Sequence, residues 1–471
     1  MEAQAFSVKR AEVEFHNFAS LGEPARVVAH YEEQNDRRNG LIVKYRDFIG
    51  EMTPFLEIGA NAGHSSYMLA NRYGASGFAL DISADSLRYG AALQDIWGMP
   101  RAPIRVAGDA VNLPFADGSL RLVMAFQMLS QFMDMEAVLL EVKRVLAPGG
   151  IFLFAEEPLK RLLTMRLYRC PYYDTMKPWE RKLSEWGLLG YLVRDVIGAQ
   201  QEESFGIHQN HTMGLKDWHV LIGKHFDDAR YEIFVPERGW GERIVKRAAI
   251  RADPYGSEWR AGRLLGGTLA AICVKGGAAS AVPFDAARFE THLRCPDCRS
   301  ALGRDASDRL RCAQCGYEAA NEEGVYNLLP SADRAELYPG DRADIIDFSL
   351  AGHEKRLLGE WYELEGVFGN KYRWIGAEAS ALLKPVRPGE QRLRVRGHAM
   401  EGHAVELRVV VNGAAVGEWK LERAGLFVME ADLPDASEYR VTIEASPVWM
   451  ADGDGRLLTV SLSMIRLAPR A

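Results

Sequence analysis

Along the first third of the chain, short runs of consecutive apolar residues are separated by amphipathic stretches. Phe55-Leu56-Glu57-Ile58, Gly77-Phe78-Ala79-Leu80-Asp81, Ile104-Arg105-Val106-Ala107, residues 121–126 and residues 151–155 read as strands. Unbroken rather than alternating apolar runs suit strands covered on both faces. Residues 65–73 and 141–146 carry helical spacing, and Pro148-Gly149-Gly150 ends the second of these helices before the fifth strand. Strand–helix alternation predicts an α/β fold with a parallel sheet and helices on both faces. From about residue 350 the texture changes. Residues 392–396 and 405–411 alternate apolar and polar, Asn412-Gly413 marks a hairpin, and residues 439–444 and 457–465 continue the alternation. Short strands at this rhythm predict an all-β sandwich, jelly-roll-like in pattern.

Three of the apolar runs in the α/β part end in an acid. The first breaks into Gly59-Ala60-Asn61-Ala62-Gly63, an E-x-G-x-x-x-G turn leading into a helix. Gly59 allows a sharp turn, and Gly63 allows close approach of a ligand or helix. The spacing is neither G-x-G-x-x-G nor a phosphate loop with its Lys. It suits a ligand with an amino group and a ribose rather than a polyphosphate. The second run ends in Asp81, whose two oxygens can accept both hydroxyls of a ribose. The third is followed by Gly108-Asp109.

The successive stretches E-I-G-A-N-A-G, L-D-I, G-D-A-V-N-L-P-F-A-D-G-S and R-V-L-A-P-G-G resemble the motifs of class I S-adenosylmethionine-dependent methyltransferases, in order and spacing. The resemblance is strong over residues 40–160 and extends more weakly to about 276. It implies a Rossmann-like sheet of seven strands, completed by an antiparallel pair at residues 229–235 and 267–275. It also implies that Gly59, Ala60, Asn61 and Gly63 line the methionine part of the cofactor. Glu57 would order that loop or meet the amino group, Asp81 the ribose, Ile82 the adenine ring and Asp109 the adenine amino group. Ala110 and Phe126 complete the implied cofactor set. Arg121 stands where the family commonly has an acid, and Gln131 near a frequent His. No Asn-Pro-Pro-Tyr signature follows the fourth strand, which argues against methylation of adenine or glutamine amino groups.

Six cysteines add a second kind of chemistry. Cys295-Pro-Asp-Cys298 and Cys312-Ala-Gln-Cys315 have the spacing of a zinc ribbon, with four thiolates closing the coordination of a structural Zn²⁺. Between sheet and ribbon, residues 159–198 mix basic residues with Leu, Tyr and Trp, and then His208 and His211 flank Gln209-Asn210 in a loop. These two histidines are the candidate general bases for an acceptor hydroxyl.

The chain of 471 residues is long enough for about three domains, and its net charge of −7 supplies no overall basic footprint for nucleic acid. The N-terminus lacks the basic start and apolar core of a secretory signal, and no apolar run is long enough to span a bilayer. A cytoplasmic protein is expected, with peripheral membrane contact left open. The expected organisation is a helical cap over 1–40, a methyltransferase domain over 41–280 with a helical insertion at about 159–225, a zinc ribbon over 290–330 and a β-sandwich over 345–471. The sandwich resembles modules of bacterial glycan-biosynthesis enzymes, which implies O-methylation of a sugar or glycan precursor. The alternatives are an RNA base methyltransferase that uses the ribbon to hold RNA, and a non-catalytic scaffold.

Overall fold

The computed structural model describes residues 24–132, 134–163, 165, 167–170, 176–186, 188–196, 213–237, 240–338, 343–348, 353–367, 370–400, 404–422, 424–450 and 455–470. His208 and His211 lie outside the described residues, as do residues 1–23 of the expected cap.

Strands β1 (Phe55–Ile58), β2 (Gly77–Asp81), β3 (Ile104–Ala107), β4 (Leu120–Phe126) and β5 (Leu146–Leu159) form one parallel sheet. Every residue of β1 and β2 is buried, as their apolar runs require. β6 (Asp228–Phe234) and β7 (Gly267–Val274) extend the sheet beyond β5, with β7 antiparallel to both neighbours. The expected sheet has seven strands; the observed one has nine. The other two lie on the opposite edge: β8 (Asn321–Glu322) and β9 (Val325–Asn327), from the chain just past the cysteines. The full order is β8-β9-β3-β2-β1-β4-β5-β7-β6.

β9 runs parallel to β3, with Val325 opposite Arg105 and Asn327 opposite Ala107, and the Leu328 N–H donates to the Ala107 carbonyl at 2.8 Å. An open β3 would present unpaired amides and carbonyls to water. The chain around the cysteines covers that edge and is fastened again further back. Phe115 bridges Leu293, the Ala116 N–H donates to the His292 carbonyl at 2.8 Å, and the Arg294 N–H donates to the Pro114 carbonyl at 3.1 Å.

Helix α1 (Pro24–Lys44) lies against one face of the sheet. Its buried positions Tyr31, Asn35, Arg38, Leu41 and Ile42 fall on one helical face. Leu41 and Ile42 pack with Phe55, Met68, Leu122 and Met124. The polar members of that face meet the ends of β1 and β5 instead. Since β1–β3 and β4–β5 spread in opposite directions from the sheet centre, the C-terminal ends of β1 and β4 leave a crevice between them.

The C-terminal part is all β. Nine strands, from Ile345–Asp347 to Val460–Pro469, belong to one curled, nearly barrel-like sheet. Val405–Val411 buries alternate residues, and Val411 pairs with Ala414 across a two-residue turn. Asn412 (φ 50°) and Gly413 (φ 84°) both adopt the left-handed region that such a turn demands. The two layers of the expected sandwich are continuous because Asn370–Leu383 is shared. Its first half pairs with Val460–Pro469 at Arg373 and Trp374, its second half with Tyr439–Ser446. The apolar cluster of this part, from Ile346 to Leu467, shares no residue with the clusters of the α/β part.

Candidate functional site

The turn after β1 departs from ordinary backbone at three alternate residues. Gly59 (φ 67°), Asn61 (φ 51°) and Gly63 (φ 79°) are all left-handed. A side chain at Gly59 would come within 3.1 Å of the Met128 Cβ, so space there is tight as well as the conformation being one that favours glycine. Asp81 anchors the turn from the end of β2: its Oδ2 accepts from the Asn61 N–H at 2.8 Å and its Oδ1 from the Ser83 N–H at 2.9 Å. Asp109, after β3, accepts from the Val111 N–H at 3.0 Å. Gly59, Ala60, Asn61, Gly63, Asp81 and Asp109 are thereby brought to one rim, at the C-terminal ends of β1–β3.

Glu57 sits beneath that rim. Its Oε2 accepts from the Ser66 hydroxyl at 2.5 Å, and its Oε1 lies 4.0 Å from the Arg38 guanidinium. Burial pushes its carboxyl up to about 7; Arg38 and Ser66 offset only part of that. Arg38 is itself buried and joins several elements. It donates to the Ser65 hydroxyl at 2.7 Å and to Glu156 at 2.8 Å, and lies over the Phe126 ring at 4.3 Å. Its Nη1 lies 2.7 Å from Nε2 of His64. Burial first, and the Arg38 charge second, hold His64 well below its ordinary pKa. The ring is therefore neutral, and as acceptor at Nε2 it carries its hydrogen on Nδ1. Among the described residues, His64 Nδ1 and Arg38 Nε are buried without a partner, so polar capacity remains beside the glycine turn. Tyr31 stacks on His64 with ring centroids 4.3 Å apart, and roofs the turn from α1.

The far wall is the chain leaving β4 and β5. Gln127 (φ 53°) and Glu156 (φ 67°) are left-handed without being glycine, a strain placed just past β4 and at the irregularity of β5 between Phe154 and Glu157. The adjacent Glu157 is fully buried. It accepts from the N–H groups of Met128 (2.9 Å), Leu129 (2.8 Å) and Ser130 (2.9 Å), fixing the loop opposite Gly59. Burial raises its carboxyl against the pull of these three amides.

Ile82 and Ala110 mark the outer side of the rim. Ile82 packs with Leu329, Leu337 and Tyr338, from the chain that follows β9. The Tyr338 hydroxyl accepts from the Ala84 N–H at 2.8 Å and donates to the Ile82 carbonyl at 3.4 Å. Asn112 donates from Nδ2 to the Pro296 carbonyl, next to Cys295. The expected adenine side is thus walled partly by the chain around and beyond the cysteines.

Arg38, Tyr31, Glu156, Glu157 and Tyr338 are the members that sequence reading missed. For four of them a signal existed: polar residues at positions 31, 35 and 38 of a helix whose same face continues as Leu41 and Ile42, and the acid pair Glu156-Glu157 closing an apolar strand.

A second constellation is separate. The Sγ atoms of Cys295, Cys298, Cys312 and Cys315 all lie within 4.8 Å of one another, with Cys295–Cys315 at 3.5 Å and Cys298–Cys312 at 3.4 Å. A tetrahedral zinc–thiolate centre with bonds of about 2.3 Å has edges of about 3.8 Å, so the four sulfurs fit one ion.

Residues 56–154 match the family model described as a methyltransferase domain. Norajmaline N-methyltransferase of Rauvolfia serpentina is 27% identical over 128 residues, which are 27% of this chain and 41% of that protein. A probable S-adenosylmethionine-dependent methyltransferase of Mycolicibacterium smegmatis is 29% identical over 159 residues, covering 33% of this chain and 57% of that protein. The chain spans about half the length of these curated relatives. A putative sarcosine dimethylglycine methyltransferase from Galdieria sulphuraria superposes with a TM-score of 0.33 at 14% identity, covering 52% of this chain and 86% of that one. The chain carries a class I S-adenosylmethionine-dependent methyltransferase domain.

Proposed function

We propose that this protein methylates a hydroxyl of a sugar or glycan precursor, with S-adenosylmethionine held in the crevice between β1, β2 and β4. Bound there, the cofactor supplies an electrophilic sulfonium methyl. The observation that carries the reading is the convergence of Glu57, Asp81, Asp109 and the left-handed Gly59–Gly63 turn on one rim. Asp81 meets the ribose, Asp109 the adenine amino group and Ile82 the ring face. Glu57 meets the ammonium and Arg38 the carboxylate of the methionine part. Glu157 keeps the β4 loop rigid, so the acceptor is positioned against fixed backbone. His208 or His211 takes the acceptor's proton. The four cysteines hold one structural zinc.

Support for a sugar comes from the C-terminal sheet. An open cleft of about 640 Å³ there is lined by Trp419 with Glu406, Arg408, Glu418 and Glu444. An indole beside alternating carboxylates and a guanidinium matches the apolar faces and hydroxyls of a pyranose. Trp361, Trp419 and Trp449 all pack against the core of this part, and of the three Trp419 also lines the cleft. The test is transfer of labelled methyl from S-adenosylmethionine to fractionated glycan precursors and RNA, with His208→Ala and His211→Ala alongside. Label in the glycan fraction, diminished in one histidine variant, is expected. Label in RNA alone refutes the reading.

A further inference from the structure

The helix Trp240–Ala252 has two unlike faces. Glu242 and Ala249 are buried, and Val245 and Ile250 pack against the α/β core. The outward face is of a different character. Trp240 is 78% exposed and Ile244, one turn on, 57%. Arg243, Arg247 and Arg251 share that face and are exposed. Among the described residues the acid nearest them is Glu237, which is held by Lys246 and lies close enough to act on Arg243 and Arg247, while Glu242 is turned inward to the Tyr191 hydroxyl at 2.9 Å. Asp253, just beyond the helix, is engaged with the Tyr255 N–H and the Ser257 hydroxyl.

A second exposed apolar strip adjoins. The N–H groups of Leu162 and Leu163 donate to the carbonyls of Arg263 and Leu264, both at 3.2 Å, in the helix Trp259–Leu265 that packs on Trp240–Ala252. Leu162, Met165 and Leu167 are 58%, 61% and 65% exposed. Both segments leave the sheet at one end. Residues 160–163 continue from the C-terminal end of β5, and the helix lies between β6 and β7 at that same end, where Phe234 pairs with Thr268 and Leu159 with Gly267. That is also the end at which the crevice opens.

We infer that this basic, aromatic face docks the protein on an anionic lipid surface, with the mouth of the crevice on the membrane side. Exposed leucine and methionine have no use for a nucleic acid, which asks for cations and flat rings; they gain only where hydrocarbon receives them. Trp and Ile above a row of arginines form the amphipathic pattern of an interfacial helix, with arginines at the headgroups. The inference concerns docking and stands whatever hydroxyl is methylated.

The test is co-sedimentation of the full chain with vesicles of phosphatidylcholine alone or mixed with phosphatidylglycerol. Binding to the mixed vesicles, absent from the neutral ones and weakened by salt, is expected. Arg243→Gln/Arg247→Gln/Arg251→Gln should weaken it on the order of a hundredfold. Trp240→Ala/Ile244→Ala should weaken it about tenfold or more. Since every substituted side chain is exposed, circular dichroism and melting should match the unsubstituted protein. The inference is overturned by failure to bind phosphatidylglycerol vesicles, or by undiminished binding in both folded variants. It is equally overturned if these substitutions abolish RNA binding or self-association while vesicle binding is absent.

Discussion

If the cofactor's ammonium meets Glu57, cofactor affinity must depend on pH in a definite direction. Burial pushes the Glu57 carboxyl up to about 7, against an ordinary 4.5. Because the folded-state value lies above the unfolded one, the group favours the folded protein fully below about pH 4.5, and that contribution is lost as pH rises to about 7, amounting to about 3 kcal/mol. A bound ammonium reverses the preference, since only the ionised carboxylate pairs with it. Binding at about pH 6 must therefore first expel a proton from most of the molecules, and apparent affinity should be close to tenfold weaker than at about pH 7.5. Calorimetric titration at both values, in buffers of different ionisation heat, reads affinity and proton release together. Release of nearly one proton is expected at the lower pH and little at the higher. Glu57→Gln should abolish the difference in release, which separates it from titration of the ligand's own amine. Equal affinity and no proton release at the lower pH would refute the pairing.

Asp81→Ala frees the Asn61 and Ser83 amides and removes the ribose partner; cofactor binding should weaken by about 1–3 kcal/mol, measured by calorimetry. Tyr338→Phe loses the hydroxyl's contacts with the Ala84 amide and the Ile82 carbonyl and should lower stability by about 1 kcal/mol with affinity nearly intact, whereas Tyr338→Ala should weaken cofactor binding as well; equal affinity in all three proteins would remove Tyr338 from the adenine wall. Cys312→Ser should lower zinc content from about one per chain and lower the melting temperature, and full zinc by elemental analysis in this variant would refute the four-cysteine site. A chain ending at residue 342 should remain folded and bind cofactor unchanged, because the C-terminal cluster shares no residue with the others; loss of cofactor binding would show the two parts to be interdependent.

Burial is a local property of pattern, and much of the molecule was legible from it. Unbroken apolar runs identified β1 to β5, acids at their ends identified the rim, and alternation with Asn412-Gly413 identified a hairpin whose turn has the required backbone. The cysteine spacing foretold four sulfurs at one point. Partner choice is another matter. β9 covers β3 through backbone hydrogen bonds, which are the same for every sequence, and three residues of Val-Tyr-Asn carry no sign of which edge they will meet. Nor does alternation reveal that Asn370–Leu383 serves two neighbours and joins two layers into one sheet. Arg38 shows the same division at the site. Helical spacing places it on the face of α1 that carries Leu41 and Ile42, where a charge looks misplaced. Only the tertiary structure supplies Glu156, Ser65, His64 and the Phe126 ring, the groups that make a buried guanidinium tolerable. They come from the turn after β1 and the ends of β4 and β5, far apart in the chain and brought together only when the sheet assembles.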